Sequence, residues 1–186
     1  MEFKIVLGIL LAGILSNNYA LLHFLGTGAV IENERSSRKS LLLGLGTTVV
    51  MVISTLITWP LNTYVLAEVP YLQTMAFVIV ILVIVELIHL IARNLLDNYC
   101  HSDFVKFAIN GAVLGLCIHN TELAFGEAIL TAAAVGIGFM LTMTVYAKLH
   151  NAIDEEAVPA PFRGLPIDLL TAGMIVLALL ALNFKI

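Results

Sequence analysis

Residues 71–93 read YLQTMAFVIVILVIVELIHLIAR, with no charge before Glu86 and none after it until Arg93. A helix needs about 20 apolar residues to cross the ~30 Å hydrocarbon core of a bilayer, and this stretch is long enough. Five further stretches have the same character: about 3–24, 41–60, 104–119, 126–148 and 166–185. The fold expected is therefore an all-α integral membrane protein with six transmembrane helices. Composition argues the same way. Hydrophobic residues make up 60% of the chain and charged residues 12%, with a mean hydropathy of +1.01. Soluble domains run at about 45–50% apolar and about 25% charged. A water-soluble fold of 186 residues would lack the polar surface to cover itself, so the excess apolar surface must face lipid.

The polar breaks between these stretches are sharp. Glu32-Asn33-Glu34-Arg35-Ser36-Ser37-Arg38-Lys39 closes the first hairpin, Arg93 through Lys106 separates the third and fourth stretches, and His150 through Pro166 separates the fifth and sixth. Pro159, Pro161 and Pro166 forbid a continuous helix through that last break. No composition shift marks a soluble domain, so residues 1–186 read as one transmembrane domain. Ser16-Asn17-Asn18-Tyr19 follows the first apolar run in place of a small-residue cleavage site, so a cleavable signal peptide is not expected.

Lysine and arginine set the orientation. With six spans, one face carries Arg35, Arg38, Lys39, Arg93, Lys106, Lys148 and Arg163, and the other only Lys4 and Lys185. By the positive-inside rule the seven-residue face is cytoplasmic and both termini are extracytoplasmic. The net charge of −4, with no basic patch, excludes nucleic acid as a partner. Cys100 and Cys117 have no metal-binding spacing and read as small apolar side chains.

The first and fourth stretches share a pattern. Asn18-Tyr19-Ala20-Leu21-Leu22 parallels Asn110-Gly111-Ala112-Val113-Leu114, with Gly26 and Gly28 after the first and Gly115 within the second. Two three-helix halves (about 1–95 and 100–186) would be inverted, because each has an odd number of spans. Inverted repeats with matching interrupted helices place ion or cofactor sites near the midplane. The plain alternative is that asparagine and glycine help helices pack.

Several titratable residues sit in apolar surroundings. Glu86 and His89, three apart, share one helical face. An ionisable side chain within a span is a candidate for an ion or proton step, and the alternative is a hydrogen-bonded pair snorkelling toward the cytoplasmic end. His23 and His119 could line an ion or cofactor path or simply cap helix ends. Glu122 and Glu127 are expected to solvate or cap the fifth helix, Asp154-Glu155-Glu156 to form a solvated loop, and Asp168 to stabilise the start of the last helix. Thr47, Thr48, Thr142 and Thr144 read as packing hydroxyls.

Asn17-Asn18-Tyr19-Ala20-Leu21-Leu22-His23-Phe24-Leu25-Gly26 resembles the first helix of the RnfA/NqrE family. Gly44-Leu45-Gly46-Thr47-Thr48-Val49-Val50-Met51 and Asn110-Gly111-Ala112-Val113-Leu114-Gly115 resemble it too. Val158-Pro159-Ala160-Pro161-Phe162-Arg163-Gly164, followed by Leu170-Thr171-Ala172-Gly173, is the most specific match and looks closer to RnfA than to its sister RnfE. The resemblance covers essentially the whole chain. It implies a six-helix subunit of two inverted three-helix halves with interrupted first and fourth helices, in a bacterial or archaeal cytoplasmic membrane. It further implies pairing with an RnfE/NqrD-like sister, or with itself, beside flavin- and iron–sulfur-containing subunits of a redox-driven Na⁺ or H⁺ pump.

In the family, a cysteine in each interrupted helix helps hold a two-iron cluster shared by the pair. The family pattern Leu-Gly-x-Cys is Leu25-Gly26-Thr27-Gly28 here, and Asn-Cys-Ala-Val-Leu-Gly is Asn110-Gly111-Ala112-Val113-Leu114-Gly115. Gly28 and Gly111 cannot ligate iron. His23 lies five residues before Gly28, and Cys117 and His119 lie six and eight after Gly111, roughly 7–12 Å along a helix. No metal ligand and no cofactor is therefore expected from this chain alone. Three functions stay open: a membrane subunit of a redox-driven ion pump, a cluster-less paralogue acting as a small transporter or channel, and a scaffold subunit.

Overall fold

The computed structural model describes residue 8 and residues 37–95, 111–154 and 158–183. Among the described residues all regular structure is helical. Helix α1 spans Ser37–Leu61 and runs into a π-helical turn, Asn62–Leu66. A 3₁₀ turn at Pro70–Leu72 leads into α2, Gln73–Leu95. Then come α3, Gly111–Asn120, α4, Phe125–Asn151, a 3₁₀ turn at Ala160–Phe162, and α5, Leu165–Asn183.

Three helical stretches, Leu43–Leu66, Pro70–Ile91 and Phe125–Asn151, are long and apolar enough to cross a membrane. They coincide with the stretches expected at 41–60, 71–93 and 126–148. The shorter apolar helices Gly111–Asn120 and Leu165–Ala178 overlap those expected at 104–119 and 166–185. Apart from residue 8, the stretch expected at 3–24 lies outside the described residues, as do Asn17, Asn18, His23, Gly26, Gly28, Cys100 and Asn110.

Boundaries differ from expectation where local chemistry explains it. Helix α1 already includes Ser37, Arg38 and Lys39 of the charged run expected to form a loop. Helical hydrogen bonding continues past the apolar span into the charged segment, where the membrane requirement no longer applies. At its far end Pro60 lies inside the helix. Proline has no N–H and its ring crowds the carbonyl four residues back, and the chain answers by widening to the π turn directly after it. The segment between α4 and α5 closes on itself. Phe162 N–H donates to Pro159 O at 2.9 Å, and Arg163 Nε donates to Val158 O at 2.8 Å. Gly164 then turns the chain with φ +78°, a conformation that L side chains avoid, and its carbonyl accepts the Ile167 and Asp168 N–H groups that open α5.

The helices alternate in direction. Gly44 of α1 lies against Met140 of α4, and Thr48 lies against Gly136. The two helices are therefore antiparallel, with the Ser37 end of α1 beside the Asn151 end of α4. His150 pairs with Asp168, which brings the start of α5 to that same end. At the opposite end Asn120 meets Thr55, and Gln73 at the start of α2 reaches Thr121. The helix ends carrying Arg38, Lys39 and Lys148 and the segment carrying Arg163 thus cluster at one end of the bundle.

The α1–α4 crossing is the centre of the structure. A Cβ on Gly44 would stand 2.8 Å from Met140 Cα, and one on Gly136 would stand 2.5 Å from Thr48 Cγ2. Lipid tails are as apolar as leucine, so helices in a bilayer associate through close van der Waals contact, which small residues permit. Around this crossing are buried Val50 and Met51 of α1, Phe77, Ile81 and Val85 of α2, Val113 and Leu116 of α3, and Val135, Phe139 and Met143 of α4. Burial grades outward: 56% of the apolar window of α4 is buried, against 22% for α2. Met75, Ile79, Val83, Leu87 and Ile91 of α2, with Leu169, Met174 and Leu177 of α5, form exposed apolar faces, as lipid or a neighbouring protein requires.

Candidate functional site

Among the described residues, those singled out in the sequence do not gather at one place. Glu86 is exposed on α2 and His89 is half-buried, while the neighbouring Ile84 and Val85 face the core. Glu86 therefore points away from the packed bundle, on a helix whose other outward residues from Met75 to Ile91 are apolar. Gly111 is exposed on α3, and Gly115 is half-buried one turn on. His119 is exposed. Glu122 is exposed in the α3–α4 turn and Glu127 lies in the first turn of α4. There it suits the helix dipole, although the N-cap residue, Ala124, makes no side-chain cap. The Thr47, Thr48 and Thr144 hydroxyls donate to carbonyls four residues back, Leu43 O, Gly44 O and Met140 O, so these threonines satisfy themselves within their own helices.

What the fold does assemble is a buried polar cluster that the sequence alone does not single out. It lies between the C-terminal half of α1 and the end of α3. Ser54 and Thr55 have no solvent exposure, and Thr58 and Asn120 are 1% exposed. Asn120 Nδ2 donates to Thr55 Oγ1 and to Ala128 O, each at 3.2 Å. A carbonyl can only accept, so the amide nitrogen must face Ala128 O, and Oδ1 is fixed on the other side. Thr58 Oγ1 donates to Ser54 O at 2.7 Å. The buried Cys117 thiol lies one turn before Asn120, with the Thr58 and Thr55 hydroxyls near it. Asn120 Oδ1 and Ser54 Oγ have no hydrogen-bond partner among the described residues.

The rim beside this cluster is rigid. Trp59 Nε1 donates to Leu123 O at 2.9 Å, and its ring lies 5.0 Å from that of Phe125, a favourable tilted pair. Gln73 Nε2 reaches Thr121 Oγ1 at 3.4 Å. The tight turn from Asn120 to Phe125 is thereby tied to both α1 and α2.

At the other end of the bundle His150 Nε2 pairs with Asp168 Oδ1. Tyr146 packs its ring 5.9 Å from the His150 ring, and its hydroxyl donates to Asp168 O at 3.5 Å. Asp168 lies in the first turn of α5, as its place in the sequence suggests, and it also ties that helix to α4.

Among the described residues no group of three or more His, Cys, Asp and Glu side chains could hold a metal ion. The sequence does carry a signal for the buried cluster. Ser54, Thr55 and Thr58 fall within an apolar span with helical spacing, and Asn120 ends another. The signal is weak because uncharged polar residues are common packing groups in membranes, and only the tertiary contacts separate the satisfied from the unsatisfied ones.

Known proteins place the whole chain. The family described as "Rnf-Nqr subunit, membrane protein" matches residues 6–186. A protein of Syntrophotalea carbinolica, named as the A-type component of an ion-translocating oxidoreductase complex, is 35% identical over 182 residues, covering 94% of each chain. Proteins of the same name from Shigella sonnei and Escherichia coli O1:K1 are each 32% identical over 177 residues, covering 91% of this chain and 92% of theirs. Matched from end to end by that family, and built of apolar helices packed through glycine, this multi-pass membrane protein belongs to the Rnf-Nqr family.

Proposed function

We propose that the chain is the A-type membrane component of an Rnf/Nqr-like complex that couples electron transfer to Na⁺ or H⁺ translocation. The observation that carries this reading is the 35% identity, over 94% of both chains, to a protein named for that role. In the reading, the protein lies in a bacterial or archaeal cytoplasmic membrane with both termini outside. The clustering of Arg38, Lys39, Lys148 and Arg163 at one end of the bundle supports this orientation.

The reading includes an inverted repeat, and the α1–α4 crossing supports it. Gly44 faces Met140 while Gly136 faces Thr48. One shift of 92 residues carries 44 to 136 and 48 to 140, and so exchanges the two contacts. The same shift carries Asn18 to Asn110, Gly46 to Gly138 and Met51 to Met143. Two antiparallel halves that meet at a local twofold axis produce this reciprocity.

A sister of RnfE/NqrD type is the proposed partner, with self-pairing as the alternative, alongside flavin- and iron–sulfur-containing subunits. Gly111, exposed on α3, suits an interface where backbones approach closely. With glycine at 28 and 111, the chain supplies no thiolate at either family position, so a two-iron cluster shared by the pair would lack this chain's ligands. Glu86 and His89 are the proposed ion-path residues. An acid facing outward from a membrane helix needs a neighbouring protein or a polar path rather than lipid.

The test is purification of the tagged chain from native membranes in mild detergent. Co-purification with redox subunits, and cation uptake driven by electron transfer in reconstituted vesicles, are expected. Iron and acid-labile sulfide should show no cluster ligated at Gly28 or Gly111. Isolation without any redox subunit, with solute movement unaffected by reductant, would replace this reading with the transporter or channel one.

A further inference from the structure

We infer that the outward face of α2 around Glu86 is a docking face for a membrane-spanning helix of another subunit, and that this helix sets an arginine or lysine against the Glu86 carboxylate. Naming what covers Glu86 deepens the reading of the chain as a component of a multi-subunit complex and rests on it.

At about 100° per residue, Met75, Ile79, Leu82, Glu86 and Leu90 fall on one stripe of α2, and all five are exposed. Phe77, Ile81, Ile84 and Val85 lie on the opposite side and are buried, where α2 packs against α1 and α3. Glu86 thus stands in the middle of the outward stripe rather than at its edge. It also stands within the apolar span. The span Pro70–Ile91 ends five residues further on, and Arg93 comes seven further on, roughly 7 and 10 Å along the axis. Side chains on one helix meet at spacings of three and four residues, and Arg93 is two turns away. His89, three residues on, offers as a neutral imidazole a hydrogen bond but no charge.

Charge selects the occupant. Lipid tails offer a carboxylate nothing, and ionisable groups within a span pair with one another or line a polar path. Long lysine and arginine stems snorkel to the headgroups, a reach that the two methylenes of glutamate do not give. A partner hydroxyl or amide would solvate the carboxylate but leave its charge, whereas arginine or lysine balances the charge and supplies the hydrogen bonds. In the proposed orientation Glu86 lies nearer the cytoplasmic side, where lysine and arginine flank membrane helices and can reach inward along their apolar stems. Helix α2 contains no glycine, so it lacks the close backbone approach that joins α1 to α4. A polar contact is then what fixes which helix docks and in what register. Protonation is the other way for Glu86 to shed its charge, and it leaves the stripe to lipid.

The test replaces Leu82 or Leu90, one turn to either side of Glu86, with the photo-crosslinking residue p-benzoylphenylalanine, in the full chain within native membranes. Irradiation should give an adduct to a membrane helix of a different subunit, with a lysine or arginine within one turn of the attachment point. Glu86→Lys should lower the adduct yield about three- to tenfold, and exchanging the partner's cation for glutamate should restore it. Adducts to lipid alone, which is the result for a protonated Glu86, overturn the docking face. So does an adduct to residues 1–36 or 96–110 of the same chain, an adduct to a helix with no cation opposite, or an unchanged yield in Glu86→Lys. Should Glu86→Lys fail to insert, the identity of the adduct formed with Glu86 intact decides alone. Co-purification with redox subunits, but adducts to lipid alone, removes the docking face and leaves the proposed function standing. A charge-swappable adduct to a subunit, in a chain that never joins redox subunits, does the reverse.

Discussion

Adding one methyl group at the α1–α4 crossing should loosen the whole bundle. In Gly44→Ala the new Cβ meets Met140 Cα and Cγ at 2.8 Å and Cβ at 2.9 Å. In Gly136→Ala it meets Thr48 Cγ2 at 2.5 Å and Thr48 Cα and Cβ at 3.0 Å. Ordinary carbon contacts lie at about 3.5–4.0 Å, so the helices must separate. Because backbone atoms are among the neighbours, no rotamer change relieves the clash completely. Overpacking of this kind costs about 1–3 kcal/mol. Alanine also gains up to about 1 kcal/mol over glycine in helix propensity, and this gain must be removed from the comparison. Gly173→Ala does that, since its Cβ would meet nothing within 4 Å. Relative to Gly173→Ala, the two crossing variants should be less stable by about 1–3 kcal/mol. The assay is reversible denaturant unfolding in mixed micelles, followed by the fluorescence of Trp59, the chain's single tryptophan. A double-mutant cycle sharpens the result. Thr48→Ser removes Cγ2, the nearest atom to the new methyl, and should rescue Gly136→Ala in large part. Met140→Ala leaves Met140 Cα in place and should rescue Gly44→Ala less. Crossing variants as stable as Gly173→Ala would refute the close approach of α1 and α4.

Four further outcomes are expected. His150→Ala removes the link to Asp168 and should weaken the docking of α5 by about 1 kcal/mol, read as faster amide exchange confined to that helix. Gly164→Ala places a side chain at φ +78° and should cost about 1–2 kcal/mol, with Gly164→Asn milder than Gly164→Val. A reporter fused after residue 186 should be active as a periplasmic phosphatase and dark as a cytoplasmic fluorescent protein, and the reverse would overturn the proposed orientation. Glu86→Gln should lower redox-driven cation uptake without preventing assembly, whereas unchanged uptake would remove Glu86 from the ion path.

Hydropathy and punctuation are enough to read the helical membrane class, and the spans at 41–60, 71–93 and 126–148 are legible to within a few residues. This works because a bilayer makes length and apolarity obligatory for any spanning helix, so the constraint is written locally in the chain. The family is equally legible, since Val158–Gly164 encodes a self-contained turn: an arginine reaching back to a carbonyl and a glycine in the left-handed region, all within seven residues. Charged and glycine positions such as Glu86, His89, Gly28 and Gly111 draw attention because their cost or their departure from a pattern shows in one dimension. The partners of uncharged polar residues do not show there. Thr47 and Ser54 look alike in the sequence, yet Thr47 satisfies its hydroxyl within one turn of its own helix. The Ser54 oxygen stays unpaired, and so does the side-chain oxygen of Asn120, whose donors are taken by Thr55 of α1 and Ala128 of α4. Similarly, Asp168 reads as a helix start until His150 is brought across to it. Local sequence sets which segments enter the membrane and how each closes its own backbone. The pairing of helices decides which buried oxygens are left with lone pairs to offer, because that depends on atoms contributed by different helices.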